Sequence, residues 1–359
     1  MKCIVVSNMY PDAQNPSYGV FVKKFCQQLD SLGVDYALSV MYKQSGAVNK
    51  LKGYAGFFFS TVWKLLRNDY DCVYVHYASH SSWPVLLAGR LKKLNIITNV
   101  HGSDVVPDTR KQEKFQRFTK AILKVSDKVV VPSEYFGDVV ARKYGIGESK
   151  IRVYPSGGVD PETFRLLPAE QVREYRHSFG IEDDKRILGF VGRLSNGKGW
   201  KTYLDAVSRL EDVHVFLVGD GPQGDACSRY IDQLGLKDRV IRLGLQTQEE
   251  LCKLYNLFDY FIFPTEREGE SLGLVALEAM ACGAIAVCSD YAAPGYYIHN
   301  WENGVKFPMG DAAALAETIR KLNGLGPEEL AALKEAGLKT AEQYTPEHTR
   351  GQLTEIFTK

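Results

Sequence analysis

The sequence predicts an α/β protein of two doubly wound, parallel-sheet domains. Three observations carry that expectation. Short runs rich in β-branched and aromatic residues alternate with helix-like segments along the chain, the grammar of strand, crossover helix and parallel strand. The alternation breaks at the turn-rich stretch Tyr154-Pro155-Ser156-Gly157-Gly158-Val159-Asp160-Pro161 and then resumes. At 359 residues, 45% of them hydrophobic, the chain can bury two cores.

In order, strands are expected at Cys3–Ser7, Ala37–Met41, Cys72–His76, Ile96–Val100 and Lys128–Val131. Helices should separate them at Val20–Leu32, Ala55–Arg67, Pro84–Leu94 and Lys111–Val125. The second half repeats the pattern with strands at Arg186–Val191, Val213–Val218, Val240–Leu243, Tyr260–Phe263 and Ala284–Cys288. Near the end, Pro327–Tyr344 reads as a helix and Thr345-Pro346-Glu347 as a break with a capping threonine and a first-turn proline. Glu347–Phe357 then forms a last helix. The expected domains are residues 1–160 and 161–346.

A net charge of +1 gives no global reason to expect a nucleic-acid partner. The apolar runs, such as Gly56-Phe57-Phe58-Phe59, are far short of a membrane span. Met1-Lys2-Cys3-Ile4-Val5-Val6 enters a strand at once, without a signal-peptide pattern. Seven cysteines (positions 3, 26, 72, 227, 252, 282 and 288) form no CxxC pair and lie mostly among apolar neighbours. They read as reduced core thiols of a cytoplasmic protein.

The densest chemistry lies in Glu266–Gly283, EREGESLGLVALEAMACG. Glu270 and Glu278 stand eight positions apart around Leu272-Gly273-Leu274, directly after the apolar run Tyr260-Phe261-Ile262-Phe263-Pro264. Strand, loop and helix follow one another. Glu270 should lie in the loop at the strand's carboxyl edge, and Glu278 about two turns into the helix. Between them, the unsatisfied N–H groups of a helix N-terminus form a site for an anion. A carboxylate at each end of such a site suits a sugar nucleotide, with hydroxyls at the ends and phosphate in the middle. The plain alternative is an amphipathic helix with two surface glutamates.

Upstream, Phe190-Val191-Gly192-Arg193-Leu194-Ser195-Asn196-Gly197-Lys198-Gly199 is a strand running into a glycine-punctuated loop. Arg193 and Lys198 there could clamp a diphosphate, or could simply be a solvated basic pair. Val218-Gly219-Asp220-Gly221-Pro222 is a second such turn. In the first half, Asn15-Pro16-Ser17-Tyr18-Gly19-Val20-Phe21-Val22 opens a helix, and Gly19 would let backbone approach a phosphate closely. His101-Gly102-Ser103-Asp104 follows the Ile96–Val100 strand, which sets His101 at a strand's carboxyl end. His76 and His80 flank another strand end, where a structural role is as good a reading as a functional one. Asp69-Tyr70-Asp71 and Asp183-Asp184 look like metal-binding pairs but precede strands and lack a third ligand, so no metal is expected.

The order of the three C-terminal motifs resembles the retaining family-4 glycosyltransferases, and Glu270–Glu278 resembles their E-x7-E signature. The resemblance implies the GT-B fold, two Rossmann-like domains facing across a ligand cleft. It implies that Arg193 and Lys198 hold the donor diphosphate and that Glu278 binds the ribose hydroxyls. Glu270, with the backbone of Leu272, Gly273 and Leu274, would hold the donor sugar. Gly192 and Gly219 fall in the same nucleotide-binding turns. Gly19 matches the family's acceptor-side loop, although Tyr18 stands where a paired glycine is usual. His101 would hydrogen-bond the donor sugar. The last helix, 347–359, would pack back onto the first domain.

The activity so implied is metal-independent transfer of a sugar, with retention, from a nucleoside-diphosphate sugar. UDP is expected because it is the family's commonest donor base, and no cofactor beyond this co-substrate is called for. Front-side attack would let the leaving phosphate take the acceptor's proton. The acceptor would be a glycan or a polyprenyl-linked molecule of cell-surface polysaccharide or glycoconjugate synthesis. A sugar-nucleotide epimerase, a phosphorylase and a catalytically silent partner subunit are the alternatives within the fold. A nicotinamide dehydrogenase would need a G-x-G-x-x-G that neither Cys3–Ser7 nor Arg186–Val191 is followed by.

Charge is uneven locally. Tyr36–Asn68 carries five basic residues (Lys43, Lys50, Lys52, Lys64 and Arg67) and no acidic one, interleaved with Phe57, Phe58, Phe59 and Trp63. In Arg110–Lys124, Arg110, Lys114, Arg117 and Lys124 share a helical stripe beside Phe115, Phe118 and Ile122. Solvated helix faces would explain both. An anionic membrane surface as partner, with the protein peripheral on the inner face of the cytoplasmic membrane, is the sharper expectation.

Overall fold

Six parallel strands build the first sheet in the computed structural model. They are β1 (Lys2–Tyr10), β2 (Asp35–Tyr42), β3 (Cys72–His76), β4 (Ile96–Asn99), β5 (Lys128–Val131) and β6 (Ile151–Val153). Their order is β2-β1-β3-β4-β5-β6. Helices α1 (Val20–Ser31), α2 (Ala47–Arg67), α3 (Ala78–Leu91), α4 (Arg110–Glu113), α5 (Gln116–Val125) and α6 (Glu134–Tyr144) lie between them in the chain. Winding reverses between β1 and β3, and that reversal is where a doubly wound sheet opens a crevice at its carboxyl edge.

The second sheet has strands β7 (Arg186–Val191), β8 (Val213–Val218), β9 (Val240–Leu243), β10 (Tyr260–Phe263), β11 (Ile285–Ser289) and β12 (Val305–Phe307). Their order is β12-β11-β10-β7-β8-β9, so here the reversal falls between β7 and β10. Its first helices are α7 (Ala169–Ser178), α8 (Trp200–Val207), α9 (Gly224–Gln233), α10 (Gln248–Leu257) and α11 (Leu274–Ala281). Then come α12 (Pro294–Tyr297), α13 (Ala312–Asn323), α14 (Pro327–Glu342) and α15 (Pro346–Phe357). Alternate strand residues enter separate cores. Leu188, Phe190, Val215 and Leu217 pack on one face, and Ile187, Val191, Phe216 and Val218 on the other.

The chain divides into two units, Met1–Gly157 with Thr349–Lys359, and Gly158–His348. The structure describes residues 1–16, 18–155, 157–183 and 185–358. Ser17 of the Asn15–Val22 loop, Ser156 of the turn-rich stretch, Asp184 of the paired aspartates and Lys359 of the last segment lie outside the described residues. The end of α15 belongs to the first unit's core, where Leu353 and Ile356 pack with Cys3, Val5, Phe25 and Tyr74. Lys128 Nζ donates to the carbonyls of Glu355 and Ile356, each at 3.0 Å, a cation set at a helix C-terminus.

Five places differ from the sequence reading. Strands β6 and β12 are three-residue edge strands, too short to carry a period. Helix α2 starts at Ala47 rather than Ala55, running through Gly53 and Gly56 because its buried Phe57, Thr61 and Leu65 outweigh two glycines. Helix α3 starts at Ala78 and carries Pro84 in its interior, not at its first turn. The stretch 110–125 is two helices, with α4 capped by a reciprocal Thr109–Gln112 pair.

Candidate active site

Strands β7 and β10 pair in register, Tyr260 with Leu188 and Phe261 with Gly189. The loops leaving their carboxyl ends therefore rise side by side at the reversal point. Lys198, from the first loop, places Nζ 2.5 Å from Glu270 Oε2 of the second, with side chains only 16% and 13% exposed. The Thr265 hydroxyl donates to the same oxygen at 3.3 Å. Further bonds tie the two loops. Glu266 N–H donates to the Gly197 carbonyl at 2.8 Å, and the Thr202 hydroxyl donates to Glu266 Oε1 at 2.8 Å. A charge pair so shielded from water interacts more strongly than a surface pair and has a fixed geometry.

Helix α11 begins behind Glu270. Gly273 precedes it with φ 76°, a left-handed conformation, and no side chain caps the helix there. A Cβ at Gly273 would stand 2.8 Å from the Phe263 ring, so the close approach to β10 also requires glycine. Leu272 is buried and Leu274 half-buried on either side. The uncapped N–H groups leave an anion-binding end to the helix. Glu278 is the fifth residue of α11, so it lies little more than one turn in, not two. It is buried, and the Tyr255 hydroxyl donates to its Oε2 at 3.4 Å.

Beside this point the turns after β7 and β8 touch. Gly219 has φ 125°, and a Cβ there would come within 2.1 Å of the Gly192 carbonyl oxygen. A cavity of about 470 Å³ opens on these turns, lined by Gly192, Arg193, Gly219, Leu245, Gln246 and Leu251. Its size is that of a nucleotide-scale ligand. Arg193 is exposed at its edge.

In the first unit the reversal between β1 and β3 gathers Gly19 and His101. Gly19 precedes α1 with φ 73°. His76, the last residue of β3, has Nδ1 3.0 Å from His101 Nε2, and the Phe21 ring lies 4.4 Å from the His101 ring. Burial pushes the His101 imidazole down to about 3 and holds His76 well below the usual range, so both are neutral hydrogen-bonding groups. The buried Asp104 carboxylate accepts from the N–H groups of His101, Gly102 and Ala78 at 3.0, 2.9 and 3.0 Å. Asp104 thus fastens the His101 turn to the start of α3. Of the aspartates near β3, Asp69 pairs with Lys92 at 2.7 Å, and Asp71 accepts the Lys2 N–H at 2.7 Å.

The histidine pair carries a pH signature. An unfolded imidazole titrates near 6.5, whereas in the fold His101 stays neutral down to about 3. Below pH 6.5 the unfolded chain therefore binds more protons, and stability falls as pH drops from about 6.5 towards 3. The slope approaches about 1.4 kcal/mol per pH unit for each imidazole. Urea unfolding at about pH 7 and about pH 5 should give a lower midpoint at the acid value, and His76→Asn should shrink the difference. An equal difference in that variant would contradict the assignment.

The structure thus brings Lys198, Glu270, Leu272, Gly273, Leu274 and Glu278 onto two loops and one helix, and Gly192, Arg193 and Gly219 around one cavity. His101 and Gly19 stand at the corresponding edge of the first sheet. Sequence reasoning missed Tyr255, Thr265 and the pairing of His76 with His101. The partners of Tyr255 and His76 lie more than twenty residues away, so no local spacing announces them, and the Thr265–Glu270 contact depends on how the loop between them turns.

The chain's halves match two family models. Residues 19–163 match "Glycosyltransferase Family 4", and residues 171–340 match "Glycosyl transferases group 1". The D-inositol 3-phosphate glycosyltransferase of Mycolicibacterium smegmatis is 28% identical over 307 residues, which is 81% of this chain and 67% of that protein. Its counterpart from Mycobacterium sp. JLS aligns over 77% of this chain and 63% of its own length, so the match spans about two thirds of these relatives. Among solved structures, sucrose-phosphate synthase from Thermosynechococcus elongatus superposes with a TM-score of 0.80 at 20% identity, covering 99% of this chain and 98% of the other. HepE from Anabaena, in complex with UDP-glucose, gives 0.77 at 17% identity, covering 99% and 98%. With one glycosyltransferase model on each half and two six-stranded parallel sheets that match GT-B structures along their whole length, the chain is a glycosyltransferase of the GT-B type.

Proposed function

We propose that the protein transfers a sugar from a nucleoside-diphosphate sugar, with retention of configuration, to a glycan or polyprenyl-linked acceptor of cell-surface glycoconjugate synthesis. The observation that carries this reading is the shielded Lys198–Glu270 pair beside the uncapped N-terminus of α11. A diphosphate at that helix end would compete with Glu270 for Lys198. Once released, Glu270 accepts hydrogen bonds from sugar hydroxyls. Glu278 takes the ribose hydroxyls, and the base enters the cavity at Gly192 and Gly219. Arg193, Lys198 and the α11 amides together stabilise the charge that grows on the leaving diphosphate. His101, being neutral, serves as a hydrogen-bond partner of the donor sugar. UDP leads the donor candidates because HepE, a protein of like fold, was solved with UDP-glucose.

The leaving-group charge is met by two cations of the chain, so activity should survive excess EDTA. Loss of turnover that Mg²⁺ or Mn²⁺ restores would contradict this part of the account. The function itself is tested by nucleotide release from a panel of UDP-, GDP- and ADP-sugars, with a crude lipid extract as acceptor.

Support for a membrane surface shifts towards α2. Val48, Leu51, Phe59, Trp63 and Leu66 are exposed by 66, 73, 70, 59 and 39% and recur at helical spacing along it. Lys50, Lys52, Lys64 and Arg67 accompany them with no acidic residue. Because α4 and α5 are separate, the basic stripe of Arg110–Lys124 reduces to Arg117 and Lys124 on α5, where exposed Lys120 joins them. Co-sedimentation with anionic vesicles should exceed that with neutral ones, fall with added salt, and drop in a Phe59→Ser/Trp63→Ser variant. Equal binding to both vesicle types would favour an acceptor taken from solution.

A further inference from the structure

A second cavity, of about 520 Å³, lies in the first unit between α2, α3 and the segment that follows β4. Its walls are Leu51, Tyr54, Phe57 and Phe58 of α2, Trp83 of α3 and Phe115 between α4 and α5. Ring contacts hold the wall: the His80 ring stacks on Phe115 at 4.3 Å, and Trp83 lies tilted 4.4 Å from Phe118. Ser79 Oγ lies 2.8 Å from His80 Nδ1. Lys111 is the charged side chain in the lining, and it is exposed. Burial, with Lys111 nearby, lowers the His80 imidazole, so Lys111 supplies the positive charge there.

Two features say what such a cavity takes. Apolar walls of this extent are unfavourable in water and favour a hydrocarbon. Leu51 and Trp83 are both wall residues and exposed surface residues, at 73% and 41%, so the cavity is continuous with the apolar stripe of α2. An apolar interior with a cation in its lining complements a chain that carries an anionic head.

We infer that this cavity binds the first segment of a single isoprenoid chain whose phosphate lies at Lys111, and so seats the lipid part of the acceptor. The inference rests on the lipid-linked reading of the acceptor above and names the place where that lipid enters. The volume suits one chain, whereas a two-chain phospholipid would need both of its tails to share it.

The test is direct binding to the full chain, read by calorimetry, with farnesyl phosphate, farnesol, inorganic phosphate and dioleoyl phosphatidic acid as probes. Farnesyl phosphate should bind, inorganic phosphate should not, and phosphatidic acid should not compete. Ala55→Trp, which fills the cavity from its α2 wall, should weaken farnesyl phosphate about tenfold or more. Lys111→Glu, an exposed change that leaves the packing intact, should weaken farnesyl phosphate but not farnesol. Thermal melts of both variants establish that they are folded. Undiminished binding in folded Ala55→Trp, equal losses for both farnesyl probes in Lys111→Glu, competition by phosphatidic acid, or no binding to the wild type would each overturn the inference. Titration with the UDP-, GDP- and ADP-sugars is run separately. Donor binding without farnesyl phosphate binding sinks this inference and leaves the glycosyl-transfer reading standing, while the reverse result sinks that reading alone.

Discussion

Lys198→Ala is expected to lower turnover by a factor on the order of 10² or more, about 2.7 kcal/mol of transition-state stabilisation. On the proposed reading the substitution removes a cation from the leaving-group side, where negative charge is greatest at the transition state. It also strips Glu270 of its partner at 2.5 Å, leaving a poorly hydrated carboxylate beside the incoming diphosphate. The two effects add in the same direction, and nucleotide binding should weaken with them. A Lys198→Ala/Glu270→Gln double variant separates the contributions. Because the groups are in contact, its loss should be smaller than the product of the two single losses. Steady-state kinetics with saturating acceptor makes the measurement. Near-wild-type turnover in Lys198→Ala would reduce the loop to a solvated basic turn.

Glu270→Gln and Glu278→Gln are expected to fail differently. Glu278 is buried on α11 and held by Tyr255, so the ribose contact proposed for it would be the same before and during reaction. Losing it should raise the donor KM and leave kcat nearly intact. Glu270 is proposed to face the reacting sugar and is paired with Lys198, so its loss should fall chiefly on kcat, by about 10². Identical changes in the two variants would contradict the assigned roles.

How far the sequence reaches is seen in particular elements. The strand from Tyr260 to Phe263 was legible because its aromatic and β-branched run ends at Pro264, and Cys72–His76 because its short run is rich in valine and tyrosine. The strand–loop–helix around Glu270 was legible for the same local reasons. Strands β6 and β12 were not, since three residues at a sheet edge hold no pattern and exist only by pairing with β5 and β11. The start of α3 was hidden because its first N–H is satisfied from twenty-six residues away, by Asp104. The Lys198–Glu270 contact was missed for the same kind of reason. Both side chains were singled out, but their union depends on β7 and β10 being neighbours, a property of sheet order and not of spacing.

The central claim is that a nucleotide sugar is activated at Lys198, Glu270 and α11. Its most direct test is transfer of label from a panel of radiolabelled UDP-, GDP- and ADP-sugars into a crude lipid extract, with wild type and Lys198→Ala compared side by side. The account predicts that one donor labels the extract with matching release of its nucleotide, and that Lys198→Ala lowers the initial rates of both together by about 10² or more. Labelling at a near-wild-type rate in Lys198→Ala, or no release from any donor above spontaneous hydrolysis, would contradict it.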